Sequence, residues 1–398
     1  LDAYRTNHRF GLQPAPPPQC MVRAGRRSTG SAQRSHAART GNRCMNEHHA
    51  SPRMNPSKIS QHTSGSSYAA FFGHPGYRRM FAPDRLTLGI FLPLRLYKGD
   101  MSVLRGQADL VAEIDRQGFA AVWVRDVPLF DPSFGDAGQV FDPFTYLSYL
   151  AARTKKVALA TGSAVMSLRH PIDLAKAATT IDQLSGGRLV MGVASGDTPI
   201  EFPAYGLEHS ARAERFSQAL SYVRRLMHPG QLDIDSPLGS FEGAEFLPKP
   251  VSASIPLMVT GSSGQSLEWI AEHADGWLTY PNATHTPRGP QHLAEKIRAW
   301  RDLIPGGAFR PHMTNEWIDL VDDPDHPRTP LHGGYVLRTG RIGLMALLEE
   351  WQVAGVNHAA LGIQLSQRQP AEILEELAKE VLPHFPSLEG PPATPNIW

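Results

Sequence analysis

The stretch from Arg169 to Gly206 restricts the fold more than any other part of this chain. Pro171 suits the first turn of a helix, where its missing N–H costs nothing. Ile172, Leu174, Ala175, Ala178 and Ile181 then supply a broad apolar helical face. Ser185-Gly186-Gly187 ends that helix, because glycine accepts the left-handed cap conformation. Leu189 to Ala194 follows as an almost unbroken apolar run, as expected of a parallel strand buried on both faces.

The same alternation runs through the rest of the patterned region. Strands are expected at 86–92, 120–124, 157–162, 189–194, 257–260, 277–280, 317–321 and 358–363. Helices are expected at 104–117, 143–153, 171–185, 211–227, 267–273, 293–303, 342–354 and 371–381. Eight strands alternating with eight helices predict an α/β fold, a closed (β/α)8 TIM-type parallel barrel. An open doubly wound sheet is the alternative, but no dinucleotide fingerprint follows the first strand. The excursions at 127–142 and 322–340 leave C-terminal strand ends, where a barrel builds its active site. Residues 229–250 precede the fifth strand and read as a hairpin on the opposite side.

A chain of 398 residues with net charge +1 names no partner by bulk electrostatics. No basic stripe interleaved with aromatics suggests nucleic acid, and no apolar run suggests a membrane span. The two cysteines, Cys20 and Cys44, precede the patterned region, so neither a disulfide framework nor a cysteine metal site is expected there. No metal is expected, and the cysteine usage suits a reducing cytoplasm. Residues 1–80 are rich in Arg, Ser, Gly, His and Pro, without lasting periodicity. They read as a disordered basic tail, an organellar presequence or an over-extended gene start, with Met45 and Met54 as candidate starts. The last reading is preferred, and the barrel domain is placed at 81–390. His48-His49 reads as a solvated pair rather than a metal site.

Four strand ends carry candidate chemistry. Ala194-Ser195-Gly196 closes the fourth strand. Gly261-Ser262-Ser263-Gly264-Gln265-Ser266 leads from the fifth strand into a helix, and its small donors at a helix start are a physical recipe for a phosphate site. Thr161-Gly162-Ser163 leaves room for a flat ligand. Arg125 and Asp126 end the second strand, either as a buried ion pair or as a substrate anchor, with His170 as a further candidate.

These motifs resemble the bacterial luciferase-like flavin monooxygenase family, over about residues 86–382. The resemblance rests on the turn at Asp182–Arg188, on EFPAYG at 201–206, on GSSGQSLEWIAEHADGW at 261–277 and on Trp123–Asp126. Arg125-Asp126-Val127-Pro128-Leu129 and Asp131–Asp136 point to a little-characterised subgroup. The resemblance implies a flavin over the barrel mouth, with a non-prolyl cis peptide at Gly162–Ser163; Ser195, Gly196, Ser262, Ser263 and Ser266 are expected around its phosphate, and Gly162, Ser163, Ala194 and Gly261 as further cofactor-binding residues. It implies FMN or a deazaflavin, NAD(P)H as indirect reductant, a separate flavin reductase, a small organic substrate and a homodimer. No basic cluster is evident near Ser262–Ser266, which favours FMN. Where relatives carry a histidine after the acid, this chain has Val127, which leaves an inactive flavin-binding relative as a further alternative.

Overall fold

The computed structural model describes residues 71–389 except Lys98, residues 132–140 and Asn282. Cys20, Cys44, His48-His49 and most of the 127–142 excursion, including Ser133–Asp136, lie outside the described residues. The chain order is α1 (Pro75–Met80), β1 (Thr87–Phe91), α2 (Gln107–Gln117), β2 (Ala121–Val124), α3 (Pro143–Arg153), β3 (Ala158–Val165), α4 (Pro171–Ser185) and β4 (Leu189–Ala194). It continues through α5 (Glu201–Ala204), α6 (Arg212–Met227), β5 (Gln231–Ile234), β6 (Phe241–Glu245), β7 (Leu257–Thr260), α7 (Leu267–His273), β8 (Gly276–Thr279) and α8 (Arg288–Arg301). The last part holds β9 (His312–Leu320), β10 (Thr329–Leu331), β11 (Val336–Thr339), α9 (Arg341–Ala354), β12 (His358–Gly362) and α10 (Pro370–Glu376).

Strands β1, β2, β3, β4, β7, β8, β9 and β12 pair in parallel in that order, and β12 returns to β1, so the barrel closes. Residue alternation separates two buried layers. Trp123, Ala160, Val190, Met258, Leu278, Met313, Trp317 and Ala360 form one cluster inside the barrel. Leu88, Val122, Leu159, Met191, Val259 and Leu361 pack outward against the helices.

One end of the barrel is plugged. Phe71, Tyr77, Met80 and Phe81 belong to the same cluster as the inward-facing strand residues. His74 caps α1 by accepting the Tyr77 N–H at 3.1 Å. Gly76 donates to the Gly187 carbonyl at 3.1 Å, and a Cβ there would lie 2.6 Å from the Arg188 oxygen. The expected domain start at 81 therefore cuts through folded structure: residues 71–80, assigned to the tail, close the barrel floor. Two aromatic rings within a short Pro/Gly-punctuated segment make no periodic face, which is why the pattern hid them.

Arg188 lies beside this plug and is 1 % exposed. Its Nε donates to Ser185 O at 2.8 Å, Nη1 to Thr154 Oγ1 at 2.9 Å and Val157 O at 2.8 Å, and Nη2 to Ala151 O and Thr154 O at 3.1 Å. Asp115, near the end of α2, accepts the N–H groups of Lys155, Lys156 and Val157 at 2.6–2.8 Å. Together they fix the entry of β3 and β4.

Three other expectations need revision. The seventh barrel strand, expected at 317–321, runs from His312 to Leu320, because buried polar residues His312, Thr314, Asn315 and Glu316 break the apolar pattern. The 322–340 excursion contains the antiparallel hairpin β10–β11, and β11 also pairs with β9. Asp319 accepts Arg338 Nε at 2.8 Å, and Glu350 receives Arg328 through two bonds of 2.7 and 2.8 Å, so this excursion is pinned at both ends. The β5–β6 hairpin exists as expected, but it lies along α4, and Leu238 near its tip meets His170 at the start of α4. It is not confined to the opposite side. Among the described residues, no helix is long and apolar enough to cross a membrane, and no group of three His, Cys, Asp or Glu could hold a metal.

A chain beginning at Phe81 removes Phe71, Tyr77 and Met80 from the barrel floor. Burial of such side chains is worth about 1.5–3 kcal/mol each. Thermal unfolding is therefore expected roughly 10 °C lower than for the full chain. An unchanged midpoint would show that the plug contributes nothing.

Candidate functional site

The C-terminal ends of the barrel strands divide into two halves of different chemistry. On β3, β4 and β7 the residues are small. The Gly162–Ser163 peptide is cis, at the position that the family resemblance implies. A Cβ on Gly162 would lie 2.7 Å from Phe91 Cζ and 3.1 Å from Trp123 Cε3, so only glycine fits. Ser163 Oγ bonds Thr260 Oγ1, joining the ends of β3 and β7. Thr161 Oγ1 donates to Gly192 O at 2.7 Å, which ties β3 to β4. Ser195 is buried and Ala194 half-buried. Gly196 follows with φ +79°, and a Cβ there would lie 2.7 Å from Val165 Cγ1.

The turn after β7 is held from both sides. Gly261 donates to Leu278 O at 2.8 Å and accepts from Trp277 Nε1 at 2.7 Å. Ser266 Oγ accepts the Trp269 N–H at 3.2 Å and caps α7. Ser262 Oγ accepts the Gly264 N–H at 3.2 Å. The Ser262 hydroxyl accepts in the turn and keeps a proton to donate to an anion, whereas the Ser266 hydroxyl also donates to the Glu268 carboxylate. Ser263 differs: its hydroxyl donates to Thr260 O at 2.8 Å, so its contribution to an anion is its backbone, held at φ +47°.

Sequence reasoning missed three basic residues beside this turn. Gln265 Nε2 donates to Ala213 O at 2.7 Å, and Gly264 packs against the Ala213 methyl, which docks the start of α6 on the turn. That start carries Arg212 and Arg215, with His209 just before it. Arg212 Nη1 donates to His209 O at 3.0 Å, and Arg215 Nε to Ser167 O at 3.1 Å. The His209 ring meets Phe202 edge-on at 4.9 Å, and Phe202 lies against Gly196. Partial burial, then Arg212, hold His209 below the usual imidazole pKa. The expected lack of basic residues near Ser262–Ser266 is thus corrected. They lie about fifty positions earlier in the chain, on a helix whose charges look solvated.

The other half, on β9, β12, β1 and β2, is aromatic. Phe91 lies 5.4 Å from Trp317 and 6.0 Å from Trp123 between ring centres. Tyr335, from the pinned excursion, lies 6.2 Å from Trp317. The Arg125 guanidinium sits 5.7 Å above the Trp317 ring. A Cβ on Gly362 would overlap the Trp317 ring, so β12 needs glycine there.

The remaining candidates are placed differently from expectation. Asp126 pairs with Arg169, not with Arg125: Oδ1 accepts Nη2 at 2.8 Å and Oδ2 accepts Nε at 3.1 Å. Oδ2 also accepts the Val165 N–H at 3.0 Å. Arg169 further reaches Asp142, the cap of α3, at 3.2 Å. Asp126 therefore holds β2, β3 and the start of α3 together. His170 is exposed; its Nδ1 accepts the Ile172 N–H at 3.2 Å, which leaves Nε2 protonated and donating to Leu238 O at 3.0 Å. It is a helix cap whose two nitrogens are both engaged, and the expected catalytic role is not supported by this placement.

Three buried ionisable groups stand outside the mouth. Burial raises the Glu316 carboxyl to about 8, against smaller opposing hydrogen bonds from Thr284 and the Trp317 N–H. Burial depresses His358 to about 3. Burial, then Arg301, depresses His312 to about 3. His358 Nε2 accepts Trp123 Nε1 at 2.9 Å and Nδ1 meets Thr87 Oγ1 at 2.7 Å, as a neutral ring requires.

The family model for luciferase-like monooxygenases matches residues 86–303. An uncharacterised protein of Mycobacterium tuberculosis is 31 % identical over 230 residues, covering 53 % of this chain and 80 % of that one. The crystal structure of the monooxygenase RslO1 from Streptomyces bottropensis superposes with TM-score 0.63 at 20 % identity, covering 75 % of this chain and 99 % of that one. The structure of an F420-dependent secondary alcohol dehydrogenase gives TM-score 0.60 at 20 % identity, covering 75 % and 98 %. At these identities the two structures speak to the fold.

Two expected outcomes follow from this geometry. Asp126→Asn removes one side of a largely buried pair and should lower stability by about 2 kcal/mol. The measurement is the denaturation midpoint, and a wild-type value would refute the framing role. The second concerns pH. Glu316 has a raised folded-state pKa, so its contribution to stability is full below about 4.5 and is lost as pH rises towards about 8. His312 and His358 have lowered values, so theirs is lost as pH falls from about 6.5 towards 3. Glu316→Gln should flatten the fall in stability between about pH 4.5 and 8 alone; an unaltered slope there would show that Glu316 does not titrate in that range.

Proposed function

Because the chain belongs to the luciferase-like monooxygenase family, we propose that it is a flavin-dependent oxidoreductase, and specifically an FMN-dependent monooxygenase acting on a small organic substrate. The observation that carries this reading is the divided mouth: a small-residue half beside a serine-rich turn, facing an aromatic half. The donor set fits FMN. Ser195 follows β4, and Ser262, Ser263 and Ser266 follow the adjacent β7, beside Gly162 and Gly196, where a Cβ would strike Phe91 and Val165. Arg212 and the start of α6 add positive charge suited to a phosphate.

In this reading Ala194, Ser195, Gly196, Gly261, Ser262, Ser263 and Ser266 hold the phosphate end. Gly162–Ser163 carries the ring, and the reaction takes place against Phe91, Trp317, Tyr335 and Arg125. Reduced flavin supplies the electrons and the means of activating oxygen; the protein orients the substrate and excludes water. The pinned hairpin with Tyr335 works as a fixed wall of the site. NAD(P)H serves through a separate reductase, the enzyme works in the cytoplasm, and a homodimer is the assembly proposed.

A second reading, hydride transfer with a deazaflavin, gains support from one observation. His209, Arg212 and Arg215 provide the basic surface that a longer anionic cofactor tail needs. The F420-dependent enzyme of the same fold is consistent with it. An inactive flavin-binding relative rests on Val127 alone.

Titration of the purified full chain with FMN, riboflavin and a deazaflavin cofactor, followed by absorbance, tests these readings. FMN is expected to bind, and Arg212→Gln to weaken FMN by about tenfold while leaving riboflavin unchanged, since riboflavin lacks the phosphate. Tight deazaflavin binding without oxygen uptake favours the second reading. Binding of neither cofactor sinks both.

A further inference from the structure

Asn315 is an inward-facing polar residue in the middle of β9; Asp319, two inward positions further on, is held by Arg338 and Ser366. Asn315 lies between Met313 and Trp317, which both belong to the inner barrel cluster, and is in register with Ala360, which also faces inward. Its side chain therefore shares their face. It is 4 % exposed, and its Oδ1 is buried with no hydrogen-bond partner. A buried acceptor left unpaired costs stability, and folded proteins keep such groups where something else satisfies them.

Several polar groups of the interior pair with one another. His358 is served by Trp123 and Thr87, and Thr87 donates onward to Met80 O at 2.8 Å. Ser163 and Thr260 serve each other. Asn315 differs, and its place in the barrel says what it faces. In the closed order, β9 is separated from β7 by β8 and from β3 by β4, β7 and β8. It thus stands across the mouth from the strand ends that suit the phosphate and the ring, in the aromatic half and one inward position before Trp317.

We propose that Asn315 Oδ1 receives a hydrogen bond from the imide N–H at the edge of the bound isoalloxazine ring. This rests on the flavin reading above. A planar ring spanning from the small half to the aromatic half presents its edge there, and the imide is the flavin's ring donor. Asn315 is then a binding residue that orients the ring in its plane, and its unmet demand in the protein alone is the cost of that selectivity.

The test compares FMN with N3-methyl-FMN, in which that N–H is replaced, on the full-length wild type and on Asn315→Leu. Affinity is read by flavin fluorescence, and the ligand-free thermal midpoint is read alongside. The wild type is expected to prefer FMN by about tenfold, the range of one hydrogen bond from a buried group. Asn315→Leu should bind both flavins equally, and its ligand-free midpoint should be no lower than wild type, because it loses an unpaired polar atom. Leucine keeps asparagine's branched heavy-atom skeleton and is no smaller, so a merely steric penalty on the methyl group would survive the substitution. Equal wild-type affinity for the two flavins overturns the proposal, with no need for the variant to fold. So does a preference for FMN that persists in Asn315→Leu. Failure of the wild type to bind either flavin overturns this proposal and the flavin reading together, whereas FMN binding without discrimination overturns this one alone.

Discussion

The Arg188 guanidinium holds the base of the barrel, and it does so without a carboxylate in hydrogen-bond contact. All five of its N–H groups go to neutral oxygens. Three of these, on Ala151, Thr154 and Ser185, lie at the C-terminal ends of α3 and α4, where the carbonyl dipoles concentrate partial negative charge. Burial lowers the group to about 10, with the Asp115 charge opposing, so it stays cationic at neutral pH. One side chain thereby sets where two helices stop and where β3 and β4 begin. The small-residue half of the mouth is built at the far ends of those same two strands. Its geometry is inherited from the base.

The two halves of the mouth are stabilised differently, and this suits different tasks. The small half is bound by short polar links between neighbouring strand ends, which leave little freedom for the backbone. The aromatic half is a packed set of rings, joined by a hairpin that ion pairs fasten to β9 and α9. Exposed apolar side chains gather on the loops nearby: Leu129 and Phe130 after β2, Ile200 and Tyr205 after β4. An apolar approach to a cavity with few polar groups is the usual form of a small-molecule site.

The barrel was legible because its strands are apolar on both faces and its helices carry caps that punctuate the text. Pro171 and Gly186 bound one helix as expected, and Asp142 and Pro143 open another. Legibility failed where burial and polarity coincide. The first half of β9 carries His312, Thr314, Asn315 and Glu316, all buried, and reads as a loop. The plug residues have no period to detect. At the site, single strand ends were readable because small residues cluster there, as at Gly162-Ser163 and Ser195-Gly196. Pairings between distant segments were not. Arg169 rather than Arg125 meets Asp126, and the start of α6 comes beside the serine turn only because Ala213 docks on Gly264 and Gln265. Nothing local in the sequence encodes such contacts; they arise when the barrel closes.

The floor plug also bears on how the chain reaches this state. Phe71, Tyr77, Met80 and Phe81 precede every barrel strand, yet they pack with Val190, Met258, Leu278 and Met313. Their partners come from β4, β7, β8 and β9, far along the chain from the plug itself. Contacts of such sequence separation form slowly, because the intervening chain must first lose its freedom. The β3 and β4 strands give these rings a first wall, and the pocket is complete only when β7, β8 and β9 join it. Seating of the plug is therefore finished by closure of the barrel, and until then part of its aromatic surface stays exposed on the growing chain.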